Sequence, residues 1–301
     1  MGHIITDLKE TFRRGNIFIQ LIYINVSIFI IGTLINVFLQ LFQHSIPDIF
    51  GIFALPASFI RFFHQPWSII TYMFMHAGLL HILFNMLWLY WFGSLFLHFF
   101  SAKHLRGLYI LGGILGGLLY MVAYNVFPLF NQEVAVSTLV GASASVLAIV
   151  AATAYREPNY RVQLFLFGAI RLKYLALVVI GIDVLSITSS NAGGHIAHLG
   201  GALAGLWFAA SLSKGVDLTA WINWLLDAFI SLFQKKTWKH KPKMKVHYGG
   251  GTTSREKDYD YNAHKKAQSD EIDRILDKLK KSGYDSLTTE EKKSLFDASK
   301  R

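Results

Sequence analysis

The sequence predicts an all-α polytopic membrane protein, a bundle of six transmembrane helices with a cytoplasmic C-terminal helical tail. Three observations carry that prediction. Of 301 residues, 53% are hydrophobic and only 16% charged, with a mean hydropathy of +0.38; soluble domains carry about 25% charged residues. The charges cluster at the chain ends and in short loops. Six apolar stretches approach the ~20 residues that a spanning helix needs.

Residues 1–16 form a cytoplasmic N-terminal segment. They lack an apolar stretch followed by a small-residue cleavage site, so no signal peptide is read there. The start Met-Gly-His-Ile-Ile-Thr matches the loose myristoylation pattern. The six-span core occupies 17–213. Its first span runs from 18 to 41, and a loop rich in Pro and Phe follows to residue 71. The other spans are read at 78–96, 105–126, 139–155, 174–189 and 194–212. The stretch 162–170 is apolar but too short to span, and is expected at the interface.

Basic residues flanking apolar segments set orientation. With the N-terminus inside, the inner face collects Lys9, Arg13, Arg14, Lys103, Arg106, Arg156, Arg161, Arg171, Lys173 and Lys214. The outer loops hold only Arg61. Both termini are therefore expected in the cytoplasm, and a bacterial inner membrane is the expected location. The net charge of +10 fits anionic lipid better than nucleic acid, because it borders the spans.

Residues 214–234 read as an interfacial amphipathic helix. Thr219, Asn223, Asp227 and Ser231 recur every four residues, giving one polar stripe on an apolar helix. A basic, flexible linker is read at 235–267 and a small helical hairpin at 268–301. In the hairpin Ile272, Ile275, Leu276 and Leu279 share a face, Ser282-Gly283 stops the helix, and Thr288 with Glu291 forms a capping-box pattern. A partner-binding or regulatory role is all the tail suggests.

The absence of cysteine excludes disulfides, thiolate catalysis and Cys-ligated metal. Polar residues within spans are costly and mark functional sites. His76 precedes a segment in which His81 and Asn85 lie four apart, on one helical face. Gly141-Ala142-Ser143-Ala144 places a serine at the start of an apolar helix, where free backbone N–H groups favour negative charge. Gly194-His195-Ile196-Ala197-His198-Leu199-Gly200-Gly201, with Gly205 after it, combines two histidines with a GxxxG spacing. Gly194, Gly201 and Gly205 are expected to let helices approach closely.

Together these groups resemble one family. His-x4-His-x3-Asn, then Gly-x-Ser, then Ala-His-x-Gly-Gly is the pattern of the rhomboid intramembrane serine proteases, and the resemblance covers about residues 16–212. It implies Ser143 as nucleophile and His198 as general base. It implies an oxyanion hole from the Ser143 N–H with His81 and Asn85, supported by His76 and Gly141. No cofactor and no metal are implied. Substrates would be membrane-anchored proteins, single-span ones among them, cut in or near a transmembrane helix. The family works as a dyad, so Asp183, the one carboxylate within the fifth span, is read as structural or gating.

The chain departs from the pattern in three places. Ala144 follows the nucleophile where Gly is usual. Ser68 follows Trp67 where Arg is usual. Leu97-His98 replace the acidic end of the second span. Two other functions compete. A catalytically inactive rhomboid-like binder or chaperone would be expected to have lost the serine or the histidine. A metal or haem protein could draw on His76, His81, His195 and His198, but no carboxylate cluster or His-Glu-x-x-His segment accompanies them.

Overall fold

The computed structural model describes residues 12, 15–42, 49–164, 168–233 and 253–299. The chain divides into two compact units, Met1–Lys235 and Lys236–Arg301.

The first unit opens with α1 (Ile17–Leu41). The segment after it breaks into short pieces: α2 (Ile49–Phe53), strand β1 (Leu55–Pro56), α3 (Phe59–His64) and α4 (Ser68–Thr71). Then come α5 (Leu79–Phe96) and α6 (Ala102–Val126). Ser101 starts α6 by accepting the His104 N–H, while the Ser101 N–H reaches His104 Nδ1. Strand β2 (Thr138–Leu139) pairs antiparallel with β1, Leu55 facing Leu139. Next are α7 (Ser143–Arg156), the antiparallel strands β3 (Arg161–Leu164) and β4 (Gly168–Arg171), α8 (Leu172–Leu185), α9 (Ala192–Leu212) and α10 (Ala220–Phe233).

Four of these helices, α1, α5, α6 and α9, are long and apolar enough to cross a membrane. The other two expected spans are shorter than the sequence suggests. α7 has 14 residues, about 21 Å of helix against the ~30 Å of a hydrocarbon core. It starts at Ser143 because Leu139 belongs to the strand pair and Gly141 sits at φ +126°. α7 is buried along nearly its whole length, from Ala144 to Ala154. It packs on α5, α6, α8 and α9. Neighbouring helices, rather than its own length, screen it from lipid. α8 also has 14 residues and ends at Leu185 rather than at 189. The stretch 162–170, expected as an interfacial segment, contributes to the β3–β4 hairpin.

The segment before α5 is tied down by specific bonds. Arg61 donates to the Ala135 carbonyl at 3.0 Å, Trp67 Nε1 to that of Ile52 at 3.0 Å, and Thr71 Oγ1 to that of Phe53 at 2.8 Å. Anchoring therefore persists although Ser68 stands where an arginine is usual. Deeper, Tyr72 donates to the Gly113 carbonyl and Tyr109 to that of Met73. Asn25 on α1 donates to the Tyr109 hydroxyl and to the Leu21 carbonyl. A buried amide or hydroxyl is costly unless bonded, so this chain of bonds fixes α1, the pre-α5 segment and α6 against one another.

The polar stripe faces the protein from Thr219 to Asp227, while Ser231 is exposed and, among the described residues, bonds only to the Ala228 carbonyl of its own helix. Thr219 and Asn223 are buried. Asn223 accepts from Arg106 Nε at 2.9 Å and donates to the Lys103 carbonyl at 3.0 Å. Asp227 accepts from Arg106 Nη2 at 2.8 Å. Trp221, Trp224, Leu225 and Leu232 point outward.

The second unit contains α11 (Thr253–Ser282) and α12 (Thr289–Ser299). α11 begins well before residue 268, inside the stretch read as flexible linker. The residues from 253 to 267 are mostly polar in sequence, so no hydrophobic period marks them, and only about half are strong helix formers. Residues 234–252 of that linker lie outside the described residues. Of the expected apolar face, Ile275 is buried and Leu276 exposed. The capping box is present: Thr288 N–H to Glu291 Oε2 at 2.8 Å and Glu291 N–H to Thr288 Oγ1 at 3.3 Å.

Lys278 donates to both Glu291 oxygens, at 2.9 and 3.1 Å. That hydrogen bond first, and the Thr288 N–H second, hold the Glu291 carboxyl at about 2, below its ordinary 4.5. A lowered carboxylate pKa stabilises the fold above the ordinary value and stops doing so as pH falls through the lowered one. The hairpin is therefore expected to lose stability between pH 4.5 and about 2. Hydrogen exchange across α12, corrected for its intrinsic pH dependence, should rise in that window, and Glu291→Gln should flatten the response.

Candidate active site

Three helices bring the site together. Ser143 is the first residue of α7, His198 lies on α9, and His81 and Asn85 lie on α5. Ser143 and His198 line one cavity of about 190 Å³ with Phe84, Asn85, Trp88, Val146, Leu147 and Val179. Both side chains are half-buried.

The face of α9 that carries His198 also makes a very close helix contact. Residues 198, 201 and 205 follow one another at spacings of three and four, so they share a face. A Cβ on Gly201 would overlap the Ala144 carbonyl oxygen and lie 2.7 Å from its carbon. A Cβ on Gly205 would overlap the carbonyl oxygen of Ala148. The expected GxxxG contact is thus made against α7, beginning at the residue after Ser143. Gly194 behaves differently. Its nearest neighbours belong to the side chain of Asn191, just before α9, rather than to another helix. Gly200 makes a further close contact, with Leu115 and Gly116 of α6. Gly116 is the glycine that permits that approach, whereas Gly112, Gly113 and Gly117 face Ala148, Met73 and Leu55.

Ala144, the departure beside Ser143, is accommodated by Gly116. A Cβ there would stand 2.6 Å from that of Ala144. The extra methyl fills space that a side chain on α6 would otherwise take.

Hydrogen bonds fix the roles of the α5 side chains. His81 Nδ1 accepts the Ala77 N–H at 3.4 Å, so its proton sits on Nε2. That nitrogen faces Gly141, where an added Cβ would lie 2.8 Å from it and 3.7 Å from Ser143 Oγ. A side chain at 141 would be strained at φ +126° and would occupy the space between His81 and Ser143. The Gly141 N–H is held by the Tyr72 carbonyl at 3.0 Å. Asn85 donates one N–H to the His81 carbonyl at 2.8 Å and keeps a second for the cavity. The Ser143 N–H has no acceptor among the described residues, as its place in the first turn of α7 dictates. His76 is buried with its ring edge against His81, the centroids 5.2 Å apart, and neither of its nitrogens has a partner among the described residues.

Asp183, on α8, faces His198. Its Oδ1 accepts from His198 Nδ1 and from His195 Nδ1, both at 2.8 Å. The three residues form a cluster whose ligand-type atoms lie within 4.8 Å of one another.

A family model described as Rhomboid domain matches residues 64–215, just over half the chain. A second model, a family of unknown function named DUF6576, matches residues 255–301. The chain is 29% identical over 157 residues to RHOMBOID-like protein 12, mitochondrial, of Arabidopsis thaliana, covering 49% of this chain and 47% of that protein. It is 30% identical over 139 residues to presenilin-associated rhomboid-like protein A, mitochondrial, of Danio rerio, covering 45% of this chain and 34% of that protein. The chain thus spans less than half the length of each of these relatives.

Proposed function

The chain belongs to the rhomboid family, and from that membership we propose that it is an intramembrane serine endopeptidase, cutting membrane-anchored proteins in or near a transmembrane segment. The observation that carries the proposal is the cavity that Ser143 and His198, on separate helices, line together with Asn85.

In this reading His198 Nε2 takes the Ser143 proton as Oγ attacks the scissile carbonyl carbon. Negative charge on the carbonyl oxygen is met by the Ser143 N–H, His81 Nε2–H and the second Asn85 N–H. The protonated His198 then gives its proton to the leaving amine, and water resolves the acyl-enzyme by the same route. Both termini lie in the cytoplasm, and six helices traverse or are embedded in the bilayer. Their membrane is a bacterial inner membrane in this reading, although both relatives above are named as mitochondrial.

The test is cleavage of a model single-span substrate in reconstituted membranes, together with covalent labelling by a fluorophosphonate. Wild type is expected to cut and to be labelled at Ser143, and Ser143→Ala to do neither at equal expression. A wild type that cuts none of several substrates and takes no label would favour an inactive binder of membrane proteins.

A further inference from the structure

We infer that Asp183 is a positioning residue for the base, holding His198 in the tautomer and orientation that catalysis needs; this rests on the protease reading above. Asp183 is the one carboxylate on α8, and its side chain is only 5% exposed. A buried carboxylate is retained only where donors compensate it. Here both donors are ring nitrogens of α9 one turn apart, and both reach the same oxygen at 2.8 Å. The other oxygen, Oδ2, is buried without a partner among the described residues. All of the hold on the carboxylate therefore passes through Oδ1.

The chemistry of that contact is one-sided. An ionised carboxylate can only accept, so His198 must carry its proton on Nδ1. Its lone pair is then on Nε2, the nitrogen left for Ser143. The same bond fixes the ring's rotation. His195 is the second strap: it braces the carboxylate without lining the cavity. Val179, one turn before Asp183 on α8, does line the cavity, so the helix that carries the carboxylate reaches the site itself.

Asp183→Asn separates this role from simple packing. Asparagine has the same shape and can still join α8 to α9. Its amide N–H can also donate to His198 Nδ1, which places the proton on Nε2 and removes the base. Wild type, Asp183→Asn, Asp183→Glu and His195→Gln would be compared in reconstituted membranes for kcat and KM per folded molecule, with thermal midpoints measured alongside. For Asp183→Asn, kcat should fall by about 100-fold or more with KM little changed, in the direction seen when a triad carboxylate is made an amide. Asp183→Glu, which keeps an acceptor, should recover part of the loss. His195→Gln should lose far less than Asp183→Asn.

A kcat per folded molecule that Asp183→Asn leaves unchanged would overturn the inference, whether or not the thermal midpoint falls. So would a loss confined to KM. A wild type that neither cleaves nor takes the fluorophosphonate would instead overturn the protease reading, and this inference with it.

Discussion

His198→Ala is expected to reduce kcat on the order of 10⁴-fold or more while the protein still folds. The loss follows from the weakness of a neutral hydroxyl as a nucleophile at ordinary pH. Nothing else lining the Ser143 cavity can take the proton: Phe84, Asn85, Trp88, Val146, Leu147 and Val179 offer no base. His195 cannot substitute in place, because its Nδ1 is bound to Asp183 and it does not line the cavity. The fold should survive, since the His198 side chain is 23% exposed and Asp183 keeps its bond to His195. Fluorophosphonate labelling of Ser143 should collapse in parallel with cleavage. The double variant Ser143→Ala/His198→Ala should be no worse than either single one, because the two act as a unit. Appreciable cleavage by His198→Ala would mean that the base lies elsewhere.

Gly201→Ala should also be damaging, though less so, by a different route. The new methyl would overlap a backbone oxygen and stand 2.7 Å and 3.0 Å from the carbonyl carbon and Cα of Ala144. Backbone has no alternative rotamer to adopt, so α9 must move away from α7. Overpacking of this kind costs about 1–3 kcal/mol, and Gly205 against Ala148 leaves little room for compensating movement one turn on. The displacement acts on the pair of residues that must meet. Ala144 is next to Ser143, and Gly201 is one turn from His198, so a shift of ~1 Å can cost ~10² in rate. Gly181→Ala is the matched control, with nothing within 4 Å of its added Cβ. Thermal midpoints and cleavage rates of the two purified variants would decide it; equal behaviour would refute the argument that this contact sets the site.

The sequence was most readable where one physical requirement dominates. Long apolar runs revealed α1, α5, α6 and α9, because only a helix satisfies its own backbone in lipid. Helical spacing put His81 and Asn85 on one face of α5, and the motif order singled out Ser143 and His198, which the fold brings to one cavity from separate helices. It failed where apolar residues serve another structure. Leu139 is as hydrophobic as the helix after it, yet it pairs with Leu55 in a two-residue strand. Composition cannot tell a buried strand from the first turn of a helix. α11 was missed at its start for the opposite reason, since its polar first half leaves no period. Asp183 was visible as an anomaly in an apolar span, but its partners were not. The contact joins α8 to α9 across a turn, and no spacing along the chain encodes which imidazole a carboxylate will meet.

The inward polar stripe of α10 bears on where this molecule ends as a working object. Similarity to the family stops at residue 215, which invites trimming the chain there. Arg106 would then lose Asn223 and Asp227, its two acceptors among the described residues, and the N-terminal end of α6 would be left with a bare guanidinium. The exposed flank of α10, with Trp221 and Trp224, is suited to the boundary between acyl chains and headgroups. Evolutionary recognition and mechanical support thus have different borders in this chain: the acceptors that hold Arg106 sit on α10, beyond the last residue that resembles the family.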